Sequence, residues 1–230
     1  MTEAEWQTAT VLNGMVDCAR LTASERKFRL FGCACCWRLK DDLPYGCAER
    51  IAAAEQLADG DVSEAEYLAR FAVASQGRLE SGSVRGAGRL AVHSLLNSTA
   101  AGVKQTGLAT ASARALIQCK WQFGKSYHTG QHSIRFGNLL AHEQAQQCVL
   151  FRDIFGNPFR PVTFSPEWRT DTTAALAAQM YESRDFGAMP VLADALQDAG
   201  CDSDDILNHC RGPGPHVRGC WVVDLVLEKG

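Results

Sequence analysis

Apolar residues recur at helical spacing along most of the chain, and capping residues separate the runs. The clearest run is 22–41, which carries two apolar stripes, formed by Phe28, Phe31, Cys35 and Leu39 and by Leu30, Ala34 and Trp37. A helix that is apolar on two sides is typical of the centre of a fold. This spacing therefore predicts a central helix over 22–41.

The same spacing and the stop signals around it predict further helices in the first two thirds of the chain. They are expected near 46–58, 63–80, 82–100, 105–124 and 134–154, with a polar loop at 125–133. Three Ser/Thr-x-x-Glu boxes predict helix starts, at Thr2–Glu5, Thr22–Glu25 and Ser63–Glu66.

In the last third, two prolines and a glycine in 155–161 force a turn, and we expect the aromatic residues around it to pack on the core. Helices are predicted after Thr170 or Asp171, from Pro190, and after Asp202. The apolar run 220–227 suits a strand or a buried helix. We favour the helix, because no convincing strand is available to pair with it.

These elements predict an all-α fold: a compact multi-helix domain of short antiparallel helices with irregular Pro/Gly-rich connections. The length of 230 residues suits a single domain, 1–230, with a subdivision into 1–150 and 151–230 as the alternative. A hydrophobic content of 46% excludes a disordered chain. No apolar run approaches the ~18 residues of a membrane span, and the acidic first residues lack the features of a secretory signal. We expect a cytoplasmic protein without membrane contact.

The net charge of −3 hides two opposite blocks. Residues 82–152 carry eight basic residues and one acidic residue, whereas residues 153–230 carry six basic and twelve acidic residues. The basic block, with aromatic residues interleaved, could bind nucleic acid or another anion. The alternative is that the blocks neutralise each other, and no helix-turn-helix, RNA-recognition or zinc-finger pattern supports the first interpretation.

Ten cysteines are unusual for a chain of this kind. Cytosolic thiols are normally reduced, so we expect most of them to be small buried apolar residues. Cys33-Ala-Cys-Cys36 falls in the middle of a predicted helix, where packing is the better interpretation than redox chemistry. A haem attachment motif would need histidine at position 37, which is Trp37.

The strongest chemical constellation lies near the C-terminus. Cys210-x5-His216-x3-Cys220 offers three metal-capable ligands, and Cys201 or His209 could supply a fourth. Such an N/S donor set favours zinc. The alternative is that the cysteines fill core space while His216 bonds a loop carbonyl. No other motif leads us to expect a cofactor.

The segment 211–218 is a second candidate site. Its glycines let the backbone approach a ligand, and Arg211, His216 and Arg218 could bind an anion such as carboxylate or phosphate. The alternative is a rigid turn whose arginines cap helix ends or pair with Asp202, Asp204 or Asp205.

Both ends of the chain carry distinctive segments. They are Met1-Thr-Glu-Ala-Glu-Trp6, Arg29-Leu-Phe-Gly-Cys-Ala-Cys-Cys36, Phe151-Arg-Asp-Ile-Phe-Gly-Asn-Pro-Phe-Arg-Pro-Val162, and His209-Cys-Arg-Gly-Pro-Gly-Pro-His-Val-Arg-Gly-Cys-Trp-Val-Val-Asp224. These segments resemble a family abundant in planctomycete bacteria to which no activity is attached. The resemblance covers about half of the chain and implies membership of that family but no activity.

Three function hypotheses follow. The first is a non-enzymatic helical interaction or adaptor module with a protein partner, because no catalytic motif stands out. The second is a nucleic-acid- or anion-binding protein that uses 82–152. The third is a metal-binding protein or a thiol enzyme at the His209–Cys220 loop, where Cys210 with His209 or His216 would form a thiolate–imidazolium pair.

Overall fold

The computed structural model describes residues 1–43, 45–71 and 130–230 and several positions between 104 and 115. Within these residues the regular structure is helical and no strand occurs, which confirms the all-α prediction. The chain forms two compact units, Met1–Phe151 and Arg152–Gly230. The predicted helices at 82–100 and over most of 105–124, and the end of the one at 63–80, lie outside the described residues.

Among the described residues of the first unit, the helices with defined bounds lie at 3–71, and a long helix that ends in the second unit begins at Gly130. They are α1 (Glu3–Thr8), α2 (Leu12–Ala19), α3 (Glu25–Trp37), α4 (Cys47–Asp59), α5 (Glu64–Phe71) and α6 (Gly130–Phe155), with a 3-10 turn at Lys40–Asp42. The predicted polar loop was wrong at its end, since α6 already begins at Gly130. Residues 125–129 lie outside the described part of the chain.

Helix α3 is central, as its two apolar stripes predict. Phe28, Leu30 and Cys35 are buried, and Phe31 is fully buried with its ring edge-on to Phe151 at 5.0 Å. Helix α4 packs along α3 and α5 packs on α4. Burial on both sides explains why α3 tolerates so few charged positions after its first turn.

Two of the three predicted capping boxes are confirmed. Thr2 and Glu5 bond each other reciprocally at the start of α1, and Ser63 and Glu66 do so before α5. The box at Thr22 was wrong. The N-cap of α3 is Ser24, because the amides of residues 22 and 23 are still bonded to the Ala19 carbonyl at the end of α2.

The second unit begins with the last turn of α6. It continues with a 3-10 turn (Pro166–Trp168), α7 (Asp171–Ser183), α8 (Met189–Asp198), α9 (Asp204–Arg211) and α10 (Trp221–Leu227). The helix prediction for 220–227 is confirmed. The core of the second unit consists of apolar side chains from α7 to α10, among them Tyr181, Leu192, Ile206, Val222 and Val226.

The turn after α6 packs on this core only in part. Val162, Phe164 and Trp168 lie against the core, as expected. Phe159 does not, because 39% of its surface is exposed beyond the turn. Among the described residues, no helix combines the length and the apolar character that crossing a bilayer requires.

The structure decides two helix starts that the sequence left open or placed wrongly. Thr170 caps α7, since its hydroxyl oxygen accepts a hydrogen bond from the Thr173 amide at 3.2 Å. Helix α9 has Ser203 at its N-cap, without a side-chain cap bond, so the prediction of Asp202 was wrong. Asp204 and Asp205 do occupy the first turn, where the helix dipole favours acidic residues.

Replacing Thr170 by alanine is expected to lower the free energy of unfolding by about 1 kcal/mol, the usual value of an N-cap hydroxyl. The reason is that the Thr173 amide loses its acceptor. Urea denaturation of the full chain measures the effect. Thr170→Ser keeps the hydroxyl and should unfold close to the wild-type midpoint, and an equal loss in both variants would contradict the capping role.

Candidate metal centre

Four metal-capable side chains converge in the second unit. They belong to Asp153, His209, His216 and Cys220, and one ligand atom from each lies within 4.8 Å of the others. Asp153 comes from the last turn of α6, His209 from the end of α9, His216 from the turn before α10, and Cys220 from the N-cap of α10. The group could therefore hold a metal ion.

Local chain geometry explains how distant residues reach one place. Gly156 has φ +67° and follows Phe155, the last residue of α6, so the helix ends two residues after Asp153. After α9, Gly214 and Gly219 have φ +73° and +93°, a region that favours glycine. These positions flank His216 and allow the tight path in which its Nδ1 lies 2.7 Å from Asp153 Oδ1.

The carboxylate of Asp153 is the centre of the contacts. Its Oδ1 lies 2.7 Å from His216 Nδ1 and 3.2 Å from His209 Nε2, and its Oδ2 accepts a hydrogen bond from the Val217 amide at 3.0 Å. The Sγ of Cys220 lies 3.2 Å from His209 Nε2. The donor atoms thus surround a common volume.

The group is largely withdrawn from water. Asp153 is 3% exposed and Cys220 is fully buried, while the side chains of His216 and His209 are 9% and 19% exposed. Within the described part of the chain, His216 Nε2 is buried without a hydrogen-bond partner. A buried polar atom in this state carries a desolvation cost. It is not the nitrogen that faces Asp153, which is Nδ1.

The two acidic groups respond oppositely to this environment. Burial alone would raise the pKa of Asp153, but hydrogen bonds from His209 and His216 outweigh it and hold the pKa below its ordinary value. Burial raises the pKa of the Cys220 thiol well above its ordinary value, and the negative charge of Asp153 adds to this effect. A divalent cation would reverse the second effect, because it stabilises the thiolate.

Three of the five residues that the sequence predicts for a metal site belong to this group: His209, His216 and Cys220. Cys201 and Cys210 lie outside it, in the hydrophobic core of the unit. Burial raises the pKa of Cys210 to about 12, so this thiol is also poorly suited to the thiolate–imidazolium pair.

Sequence reasoning missed Asp153. The one signal for it was an acidic residue between the apolar Phe151 and Ile154, near the end of a predicted helix. A carboxylate at a buried position needs partners, and those partners lie more than fifty residues later in the chain.

The predicted anion-binding residues Arg211, His216 and Arg218 have different contacts in the structure, and anion binding by them stays a prediction. Arg211 contacts Asp194 at 3.0 Å and Gln197 at 2.6 Å, both on α8. Its predicted pairing with Asp202, Asp204 or Asp205 was wrong, because the end of α9 lies beside α8. Arg218 is buried with its guanidinium 4.4 Å from the centre of the Tyr181 ring.

The structure also describes the cysteines of α3 and part of the basic block 82–152. Cys33, Cys35 and Cys36 are fully buried, as the packing interpretation predicts, and all the cysteines that the structure describes are free thiols. In the basic block, Lys104 pairs with Asp17 at 2.8 Å and Arg114 donates to the carbonyl of Arg38. Most of the block lies outside the described residues, and polyanion binding by 82–152 stays a prediction.

Comparisons with models of protein families, with curated proteins and with solved structures give no match for this chain. The resemblance to a planctomycete family therefore stays a prediction.

Proposed function

We propose that this protein is a zinc-binding helical module whose second unit holds one Zn²⁺ through Asp153, His209, His216 and Cys220. The observation that carries the proposal is the convergence of these four ligand atoms within 4.8 Å at a buried place. The ligands come from four separate segments. A single ion would therefore join the end of α6, α9, the turn before α10 and α10 itself.

The donor set fits zinc better than the other common divalent ions. Zinc takes imidazole nitrogen, thiolate sulfur and carboxylate oxygen in a tetrahedral arrangement. Calcium and magnesium prefer oxygen ligands, which only Asp153 supplies here. Three donor pairs lie 2.7–3.2 Å apart, slightly closer than the edges of a zinc-centred tetrahedron, and all four donors lie within 4.8 Å, so a local rearrangement would admit the ion.

The alternative is a hydrogen-bonded cluster without an ion, in which Asp153 simply accepts from both imidazoles. One observation favours the metal. A buried thiol is a weak hydrogen-bond donor and would contribute little to a cluster held by hydrogen bonds alone, yet the Sγ of Cys220 lies 3.2 Å from His209 Nε2.

A structural role is the role that this site supports best. Four protein ligands fill a tetrahedral zinc, whereas catalytic zinc keeps one position for water or substrate. A reactive cysteine needs a lowered pKa and access to solvent, and Cys220 has neither. We therefore propose that the ion stabilises a non-enzymatic interaction or adaptor module.

Metal analysis of the purified full-length protein tests this proposal. We expect one zinc per chain, and Co²⁺ in its place should give the intense visible bands of a tetrahedral site with a thiolate band. Cys220→Ser should remove the thiolate band and weaken Co²⁺ binding by more than the roughly 10–100-fold loss that outer partners of a metal cause.

Cys201→Ser is the matched control, because Cys201 is buried in the same unit but lies outside the ligand group. It should keep the wild-type affinity and spectrum. A wild-type protein that binds neither Zn²⁺ nor Co²⁺ with measurable affinity would rule the proposal out.

A further inference from the structure

We propose that Trp221, seated on Gly156, is a positioning residue that orients His209 and thereby makes the site selective for ions of tetrahedral preference. This inference rests on the proposed zinc site. Trp221 itself offers no ligand atom. It acts through the ring of His209 and through its place next to Cys220.

The imidazole of His209 is held by rings from two other residues. The indole of Trp221 lies 5.1 Å from it, between centroids, at an angle of 57°. The ring of His216 lies 4.8 Å from it at 69°. The torsion that turns a histidine ring is otherwise broad. Contacts with both neighbours restrict it and direct Nε2 at Asp153 and Cys220.

Gly156 supports the indole from the opposite segment. A Cβ atom at this position would lie 3.3 Å from Cγ and 3.4 Å from Cδ2 of Trp221, so the backbone lies directly against the ring. Gly156 follows Asp153 by three residues, and Trp221 follows Cys220 directly. The indole therefore connects the segments that carry three of the four ligands.

This arrangement bears on the choice of metal. Zn²⁺ and Co²⁺ accept a tetrahedral set of ligands, whereas Ni²⁺ and Cu²⁺ favour square-planar or tetragonal ones. A fixed imidazole opposes the rearrangement that Ni²⁺ needs. Releasing the ring should weaken Co²⁺ binding and at the same time reduce the penalty against Ni²⁺.

Competition titrations of Co²⁺ and Ni²⁺ on the full chain test this prediction. Trp221→Leu removes the flat ring and should lower the Co²⁺ affinity by about tenfold, as other outer-partner substitutions do, with a smaller loss for Ni²⁺. The ratio of the Co²⁺ affinity to the Ni²⁺ affinity should therefore fall. Trp221→Phe keeps a flat ring and should restore most of the ratio.

Trp168→Leu is the control for general destabilisation. Trp168 is also partly buried against the core of this unit, but its ring packs on Phe164 and not on the ligand group. The control should lose stability with an unchanged affinity ratio. A wild-type ratio in Trp221→Leu would overturn the positioning role and leave the zinc site standing, whereas a wild type that binds no metal would overturn both.

A second pair of variants decides the matter if Trp221→Leu does not fold. Gly156→Ala places a methyl group against the indole and should also lower the Co²⁺ to Ni²⁺ ratio. Gly200→Ala is matched to it, because Gly200 also has positive φ, +89°, but has nothing within 4 Å of the added Cβ. Equal ratios in the two variants would contradict the proposal.

Discussion

A chain that ends at Arg218 is expected to lose the folded state of the second unit. The truncation removes α10, in which Val222, Val223 and Val226 are fully buried. Each fully buried valine contributes about 1.5–3 kcal/mol. The loss of all three is comparable with the total stability of a small domain, about 5–15 kcal/mol. Arg169 would also lose the carbonyls of Leu225 and Val226, to which it donates.

Limited proteolysis and helical circular dichroism measure this effect. We expect the truncated chain to be cleaved rapidly within 152–218 and to lose helical signal. A chain that ends at Lys229 is the matched control, since it keeps α10, the Arg169–Glu228 ion pair and the contacts of Lys229 with Asp224 and Tyr181, and removes only the exposed Gly230. A wild-type melting temperature in the Arg218 truncation would contradict the placement of α10 in the core.

Asp153→Ala is expected to lower the free energy of unfolding by about 3–5 kcal/mol, the usual result of removing one partner of a buried ionic cluster. The carboxylate is 3% exposed and contacts His209, His216 and the Val217 amide. Its removal leaves three partly buried donors without this acceptor. It also removes one ligand of the proposed ion.

Chemical denaturation with and without a strong chelator separates these two contributions. In the wild type, chelation should lower the stability, whereas in Asp153→Ala it should change little, because the site is already lost. Asp194→Ala is the control: this aspartate pairs with Arg211 at the surface, where such a pair contributes about 0–1 kcal/mol. A loss of only about 0–1 kcal/mol in Asp153→Ala would refute the central role of the carboxylate.

The sequence by itself determined most of the local structure. The apolar stripes of α3, the capping pairs at Thr2 and Ser63, and the helix at 220–227 were all predicted. The stripes and capping pairs depend on residues three or four apart, so they can be derived without knowledge of the fold. The helix at 220–227 followed from the lack of a strand to pair with that run. The failures at Thr22 and Asp202 are also local, because neighbouring Ser24 and Ser203 begin those helices instead.

Only the tertiary structure decided which residues form the candidate metal centre. The spacing of Cys210, His216 and Cys220 suggested three ligands, but packing turns Cys210 into the core and leaves Cys220 beside His209. Asp153 lies 63 positions before His216, and no local rule connects them. Their meeting depends on how the end of α6 packs against the turn before α10, a long-range arrangement that side-chain periodicity does not encode.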